Sequence, residues 1–350
     1  MNKLTKVGCS ALCGSLAAIS SANAGDMSVT GGVDMSWIFI DNGNTGNPIG
    51  IGSNLTFKGS GELDNGWTFD YTVANKNGSA YSSSNVDLNM GMLGSINIDQ
   101  GDSGNGVAAF DDKMPTAWEE SWGNGLSTGV KLVAGAGTAM NIMYTTPTLL
   151  GTTITLTMAP EMGATDTADK TVSGASGAVY DKAYDATINI NPSFGTEVLS
   201  GLNIFAGGHT KDQNLNGAAT AGHYYEGVAG ITYDIGPISL GYGQSGIITG
   251  NEVTLGHVSH YRSNMYGVAI NINDDLSISW GHHESRKAGY ANGSQDQASE
   301  ANRRVEVDSY QIAYSMGGAS IRLAETKGDN LYFSSANDKD ATVVSVSLAF

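Results

Sequence analysis

From Met27 to Phe350 the chain alternates between apolar and polar residues in short runs, each broken by Gly, Asn, Asp or Pro. Trp67, Phe69, Tyr71 and Val73 form one row against Thr68, Asp70, Thr72 and Ala74, and Leu276, Ile278 and Trp280 oppose Ser277, Ser279 and Gly281. Successive strand side chains face opposite sides, so a period of two predicts strands with one apolar face. Sixteen are predicted: 27–39, 51–62, 67–75, 84–91, 94–99, 139–146, 152–159, 181–190, 200–209, 224–234, 237–245, 264–273, 276–284, 305–316, 319–327 and 341–350. In the last of these Val344, Val346, Leu348 and Phe350 share a face, while Ser345, Ser347 and Ala349 share the other. A soluble protein seldom ends in a flat strand with a bare apolar face. A strand between lipid and a watery lumen has this alternation.

The connections carry a second pattern. Segments 63–66, 92–93, 147–151, 235–237, 274–275 and 317–318 are short and turn-like, with 191–199 a longer exception. Segments 40–50, 76–83, 100–138, 160–180, 210–223, 246–263, 285–304 and 328–340 are long, polar and rich in Gly, Asn and Ser. The two kinds alternate, which places short turns at one rim and long loops at the other. This predicts a 16-stranded antiparallel transmembrane β-barrel with short periplasmic turns and long extracellular loops. Closure is required because lipid cannot satisfy the hydrogen bonds of an open sheet edge. A solenoid would need a fixed repeat, and none is present.

Composition agrees. Charged residues make up 15% of the chain, against roughly 25% in soluble domains. No mature segment offers the ~18 consecutive apolar residues of a membrane helix. Lys3, Lys6, the apolar stretch Val7 to Ile19 and Ala22-Asn23-Ala24 form the three parts of an export signal, so residues 1–24 are expected to be cleaved and 25–350 to form the barrel. Both cysteines, Cys9 and Cys13, leave with the signal. Losing Lys3 and Lys6 moves the formal net charge from −17 to −19, which argues against nucleic acid as a partner.

Three stretches resemble the general, non-specific porins of Gram-negative outer membranes, of the alphaproteobacterial type. They are Phe57 to Phe69 (Phe-Lys-Gly-Ser-Gly-Glu-Leu-Asp-Asn-Gly-Trp-Thr-Phe), Leu93 to Asp99, and the terminal strand ending in Phe350. The resemblance implies a water-filled barrel, a homotrimer, passing ions and small hydrophilic solutes by diffusion. It also implies a third loop folded into the barrel, and the third long connection, 100–138, is the longest here. The Pro-Glu-Phe-Gly-Gly stretch of enterobacterial porins is absent; Asp111-Asp112-Lys113-Met114-Pro115 stands in a comparable place.

Selectivity is expected to reside in that loop. Between Gly101 and Gly125, Asp102, Asp111, Asp112, Glu119 and Glu120 stand against Lys113 alone, and confined carboxylates attract cations. Trp118 and Trp122 are expected to anchor the loop. Alternation turns Lys58 and Arg322 into the lumen, and the resemblance sets them across the pore from the loop. Asp34, Asp70 and Asp87 point inward near that wall. The expectation is a weakly to moderately cation-preferring channel. Aromatic girdles are expected at Trp37, Phe39, Trp67 and Phe69. Val346, Leu348 and Phe350 face lipid and lipopolysaccharide, and they resemble the terminal signal read by the barrel-assembly machinery.

Other signals carry less. Gly241 to Gly246 matches G-x-G-x-x-G but no helix follows, so no dinucleotide site is expected. The histidines give no zinc set, since His282 and His283 point to opposite faces and His257 and His260 lack ligand-spaced partners. No cofactor is expected; the hard oxygens of Asp102, Asp111 and Asp112 suit calcium at modest affinity. The competing readings are an outer-membrane enzyme, for which no nucleophile, base and orienter can be named, and a structural barrel or adhesin.

Overall fold

The computed structural model describes residues 25–41, 46–77, 79–101, 104–162, 180–192, 197–213, 222–251, 257–291, 294–298 and 303–350. Seventeen strands follow one another: β1 (Met27–Asp41), β2 (Ile49–Glu62), β3 (Thr68–Lys76), β4 (Ser79–Asn89), β5 (Ser95–Asp99), β6 (Asn141–Thr145), β7 (Thr152–Ala159), β8 (Tyr180–Ile190), β9 (Leu202–Gln213), β10 (Tyr224–Ile235), β11 (Ile238–Ile248), β12 (Val258–Asn271), β13 (Leu276–Ala291), β14 (Ser294–Ala298), β15 (Arg303–Met316), β16 (Ala319–Asp329) and β17 (Lys339–Ala349). Each pairs antiparallel with its neighbour, and β1 pairs with both β2 and β17. β14 is a short hairpin arm on the end of β13, while β13 itself pairs with β15. Sixteen strands therefore close the barrel.

The predicted strands all exist, and most run further than the alternation implied. Two connections differ in kind. The segment expected as loop at 285–304 carries the end of β13, the arm β14 and the start of β15. The long loop expected at 76–83 is absent, because β3 ends at Lys76, β4 begins at Ser79 and those two residues pair. Asn77 has φ +52, the left-handed conformation favoured in the tight Asn-Gly hairpin turn. The serine-rich stretch after it reads as loop by composition but continues the ladder as strand.

Among the described residues, no helix is long and apolar enough to cross a membrane. The outer face is an apolar belt: Met35, Trp37 and Phe39 on β1, Ile154 and Leu156 on β7, Ile312 and Tyr314 on β15, and Val344 and Leu348 on β17 are all exposed. Trp37 and Phe39 stack there with ring centroids 5.8 Å apart. The inner face is small and polar, with Ser263, Ser285, Ser309, Thr326 and Ser345 buried. Burying apolar residues under exposed ones is reversed here, since the exposed outer row is the hydrophobic one. At the seam, Gly32 to Asp41 pair with Ala349 to Asp340, and Gly31 and Phe350 exchange both backbone hydrogen bonds at 2.9 Å.

Candidate functional site

The connection between β5 and β6 folds inward and lies along the inner wall. Its base is tied by a chain of amide side chains. Asn97 Nδ2 donates to Asp87 at 2.7 Å, Asn105 Nδ2 donates to Asn97 at 2.7 Å and to Asn141 at 2.9 Å, and Asn141 donates to Asp99 at 3.2 Å. Two wall carboxylates then take the loop backbone. Asp185 on β8 accepts from the Val107 N–H at 2.9 Å and the Ala136 N–H at 3.1 Å. Glu226 on β10 accepts from Ala134 at 2.7 Å and Gly135 at 2.9 Å. His209 Nδ1 lies 2.6 Å from Asp185, and the Tyr224 hydroxyl donates to Glu226 at 2.7 Å, so both acceptors are held in place. A buried carboxylate requires such donors, because burial without them costs several kcal/mol.

Beyond the base an apolar patch pins the loop. Val107, Phe110, Met114 and Val133 pack on Phe205, Val228 and Met265 of the wall, with Phe110 and Phe205 rings 4.9 Å apart. Pro115 then presses onto wall glycines. A Cβ on Gly241 would stand 2.4 Å from Pro115 Cδ, and one on Gly267 would stand 2.8 Å from its carbonyl oxygen. The glycine-rich run at 241–246, which mimics a nucleotide motif, is thus in part a seat for this loop. Further on, Ser279 accepts from Ala117, Gln311 accepts from Trp118 and Glu119, and Ser285 accepts from Lys131.

The acidic stretch lies between these anchors. Asp112 and Glu119 are exposed to the lumen, as is Lys113, while Asp111 is half-buried. Glu120 is buried and accepts from the Met114 N–H at 3.1 Å. Burial, reinforced by Asp112, pushes Asp111 up to about 6. Stronger burial, again with Asp112 nearby, pushes Glu120 up to about 8. Glu120 is therefore neutral at pH 7, and the stretch carries less charge than its composition states. Asp102 lies outside the described residues.

The predicted wall residues do not form an open positive wall. Lys58 pairs with Asp70 at 3.4 Å and Arg322 with Asp34 at 3.3 Å. Arg322 also lies 5.6 Å from the Trp118 ring centroid, so it touches the loop instead of facing it across the lumen. Asp87 is engaged by Asn97, as above. Trp118 and Trp122 are half-buried within the loop. Val346, Leu348 and Phe350 are on the outer face, Val346 half-buried and the other two exposed.

A second inward segment has no counterpart in the sequence reading. Between β16 and β17, Leu331 and Phe333 bury themselves against Leu126 of the loop and against Val305, Val307 and Ala341 of the wall. Tyr332 N–H donates to Thr128 O at 2.9 Å, and the Tyr332 hydroxyl bonds Ser127 Oγ. The anchors Asp185, His209, Glu226 and Gln311 were missed as well. Their only signal was a charged or amide side chain on the inner row of a strand.

No family model matches the chain, and no curated protein matches it. Solved structures do. An anion-selective porin from Comamonas acidovorans aligns over 93% of this chain and all of its own, at 14% identity and a TM-score of 0.63. A porin refined at 1.8 Å aligns over 93% of this chain and all of its own, at 13% identity and a TM-score of 0.64. Salmonella typhi OmpF, in complex with daunomycin, aligns over 93% of this chain and 98% of its own, at 11% identity and a TM-score of 0.63. At these identities the likeness is one of fold: the chain is a closed 16-stranded barrel whose structural neighbours are outer-membrane porins.

Proposed function

We propose that this chain is an outer-membrane porin, a water-filled channel for passive diffusion of ions and small hydrophilic solutes. The observation that carries the reading is the closed barrel with an apolar outer face, a polar inner face and a polar segment laid along the inside. Membrane-spanning barrels need that reversal of sidedness, and a folded-in segment narrows what passes. No catalytic role is assigned to any residue, and no cofactor; calcium at the loop carboxylates stays a minor proposal. The chain is read as exported by a signal at 1–24, inserted by the assembly machinery through β17, surrounded by lipopolysaccharide and associated as a homotrimer. The alphaproteobacterial type rests on the sequence stretches alone.

The channel is proposed to prefer cations weakly. Among the described residues Asp112 and Glu119 are exposed and in no ion pair, whereas Lys58 and Arg322 are already matched by Asp70 and Asp34. Lys131 and Lys287, each 5.4 Å from an aromatic ring centroid on Tyr261 and Phe333, temper the preference. Single-channel recording in planar bilayers tests the channel, and the reversal potential in a potassium chloride gradient tests its sign. Asp112→Asn or Glu119→Gln alone should each lower the potassium-to-chloride permeability ratio by up to about fivefold, since a charge met at about 4 Å in water contributes ~1 kcal/mol. A native channel favouring chloride would refute the cation preference and leave the porin reading standing.

A further inference from the structure

We propose that the outer face of β13 and β15 holds a binding site for a divalent transition cation, formed by His282, Glu284 and Glu306. His282 and Glu284 are two apart on one face of β13, and Glu306 is the cross-strand partner of Glu284 on β15. One ligand atom from each residue comes within 4.8 Å of the others. The set lies on the opposite side of the wall from His283, which is buried on the inner row, so it is separate from the constriction.

The imidazole decides the class of ion. Calcium and magnesium take oxygen ligands, whereas one imidazole nitrogen with two carboxylates suits zinc and its neighbours. The ring is also braced from behind. Asp308 Oδ1 lies 3.0 Å from His282 Nδ1 and accepts a hydrogen bond from Trp280 Nε1 at 3.0 Å. A carboxylate accepts from Nδ1 only when that nitrogen carries the proton, which leaves the lone pair on Nε2. This is the carboxylate–histidine arrangement found behind metal-bound imidazoles. His282 Nε2 has no hydrogen-bond partner among the described residues. The His282 and Glu284 side chains are 18% and 11% exposed, sheltered yet reachable.

A cation already stands there. Arg304 Nη2 is 3.0 Å from Glu306 and its Nη1 is 3.7 Å from Glu284, while Arg286 bonds the other Glu284 oxygen. The Arg304 guanidinium bridges the two carboxylates where an ion would sit. It is 43% exposed and stands at the long-connection end of β15, with room to turn aside. Metal–ligand bonds near 2.1 Å around a tetrahedral ion set ligand separations of roughly 3.4 Å, so the three side chains must close up as the arginine leaves. Arginine and metal therefore compete for one place.

Calorimetric titration of zinc chloride into the purified, folded full-length barrel in detergent tests this, with heat-modifiable gel migration confirming the fold of every variant. A single stoichiometric zinc site is expected. His282→Ala should remove it, Asp308→Asn should weaken it about tenfold, the usual effect of losing a carboxylate behind a ligand histidine, and Arg304→Gln should tighten it. Zinc binding unchanged in His282→Ala overturns the proposal. Calcium binding as tightly as zinc overturns it too, because the site is then a plain carboxylate cluster. Binding seen in Arg304→Gln alone, with none in the native protein, also overturns it, since the arginine then excludes the ion.

Discussion

Among the described residues two connections enter the lumen, and they are held there by different balances of contacts. The one between β5 and β6 hangs from the wall through its backbone, with Asp185, Glu226, Ser279, Ser285 and Gln311 accepting its amides. The one between β16 and β17 is secured within itself: Asp338 accepts from the Asn330 N–H at 2.8 Å and Asn337 Nδ2 donates to Leu331 O at 3.0 Å. It enters the wall through the apolar side chains of Leu331 and Phe333. Its backbone bends through positive φ at Asn330, Tyr332, Phe333 and Ala336, a conformation that costs a non-glycine residue about 1–2 kcal/mol each. The first segment thus adds many wall acceptors to the apolar patch around Phe110, while the second relies on apolar burial and the Tyr332 contacts, working against local strain.

Removing the acceptors should have the largest effect. Asp185→Ala with Glu226→Ala orphans four loop amides, three of them buried, at about 1–3 kcal/mol for each buried one. Single-channel conductance should rise and become noisy while the barrel still migrates as folded. An unaltered conductance would mean the apolar patch around Phe110 holds the loop unaided. Tyr332→Ala comes next. It removes the hydroxyl contact to Ser127 and leaves the backbone hydrogen bond to Thr128, loosening one of two ties to the later half of the long loop, so a smaller conductance increase is expected. Gly129→Ala probes the same contact from the other side, because Gly129 has φ +75 and a Cβ there would stand 2.8 Å from the Tyr332 ring. If neither change alters conductance, the two segments act independently.

The smallest effect is a dependence on pH. Asp111 and Glu120 titrate upward of their ordinary range, near 6 and 8. Each loses a proton as pH rises, so cation preference should increase in two steps through those values. For Glu120 the folded value lies above the ordinary 4.5. Its contribution to ordering the loop is therefore complete below about 4.5 and lost as pH climbs through about 8. Glu120→Gln should delete the upper step and leave the lower one. An upper step that persists in this variant would assign it to another group.

The barrel was legible because sidedness is written locally. Each strand shows its outer row, as Trp67, Phe69 and Tyr71 do, without reference to any other strand. Strand ends were less legible: Ser79 to Ser83 looks like loop, and only pairing with β3 makes it strand. Asn77-Gly78 was the available hint. The acidic stretch was visible as composition, but its charge was not. Glu120 is neutralised by burial under its own loop, and the partners of Lys58 and Arg322 come from different strands. The anchors Asp185 and Glu226 were invisible for the same reason. A carboxylate on an inner row could face water or clasp a backbone, and residues 78 and 92 positions away decide which.

The seam between β1 and β17 has a consequence in time. Every other pairing in the barrel joins strands that neighbour one another along the chain, and those hairpins can form as the chain emerges. Gly32 to Asp41 must wait for Asp340 to Ala349, so until then the sheet keeps two open edges at once. Open edges invite pairing with foreign chains, and pairings distant in sequence are slow. Weakening this seam should therefore slow maturation and expose the nascent sheet to aggregation and proteolysis, even where the finished barrel is nearly as stable.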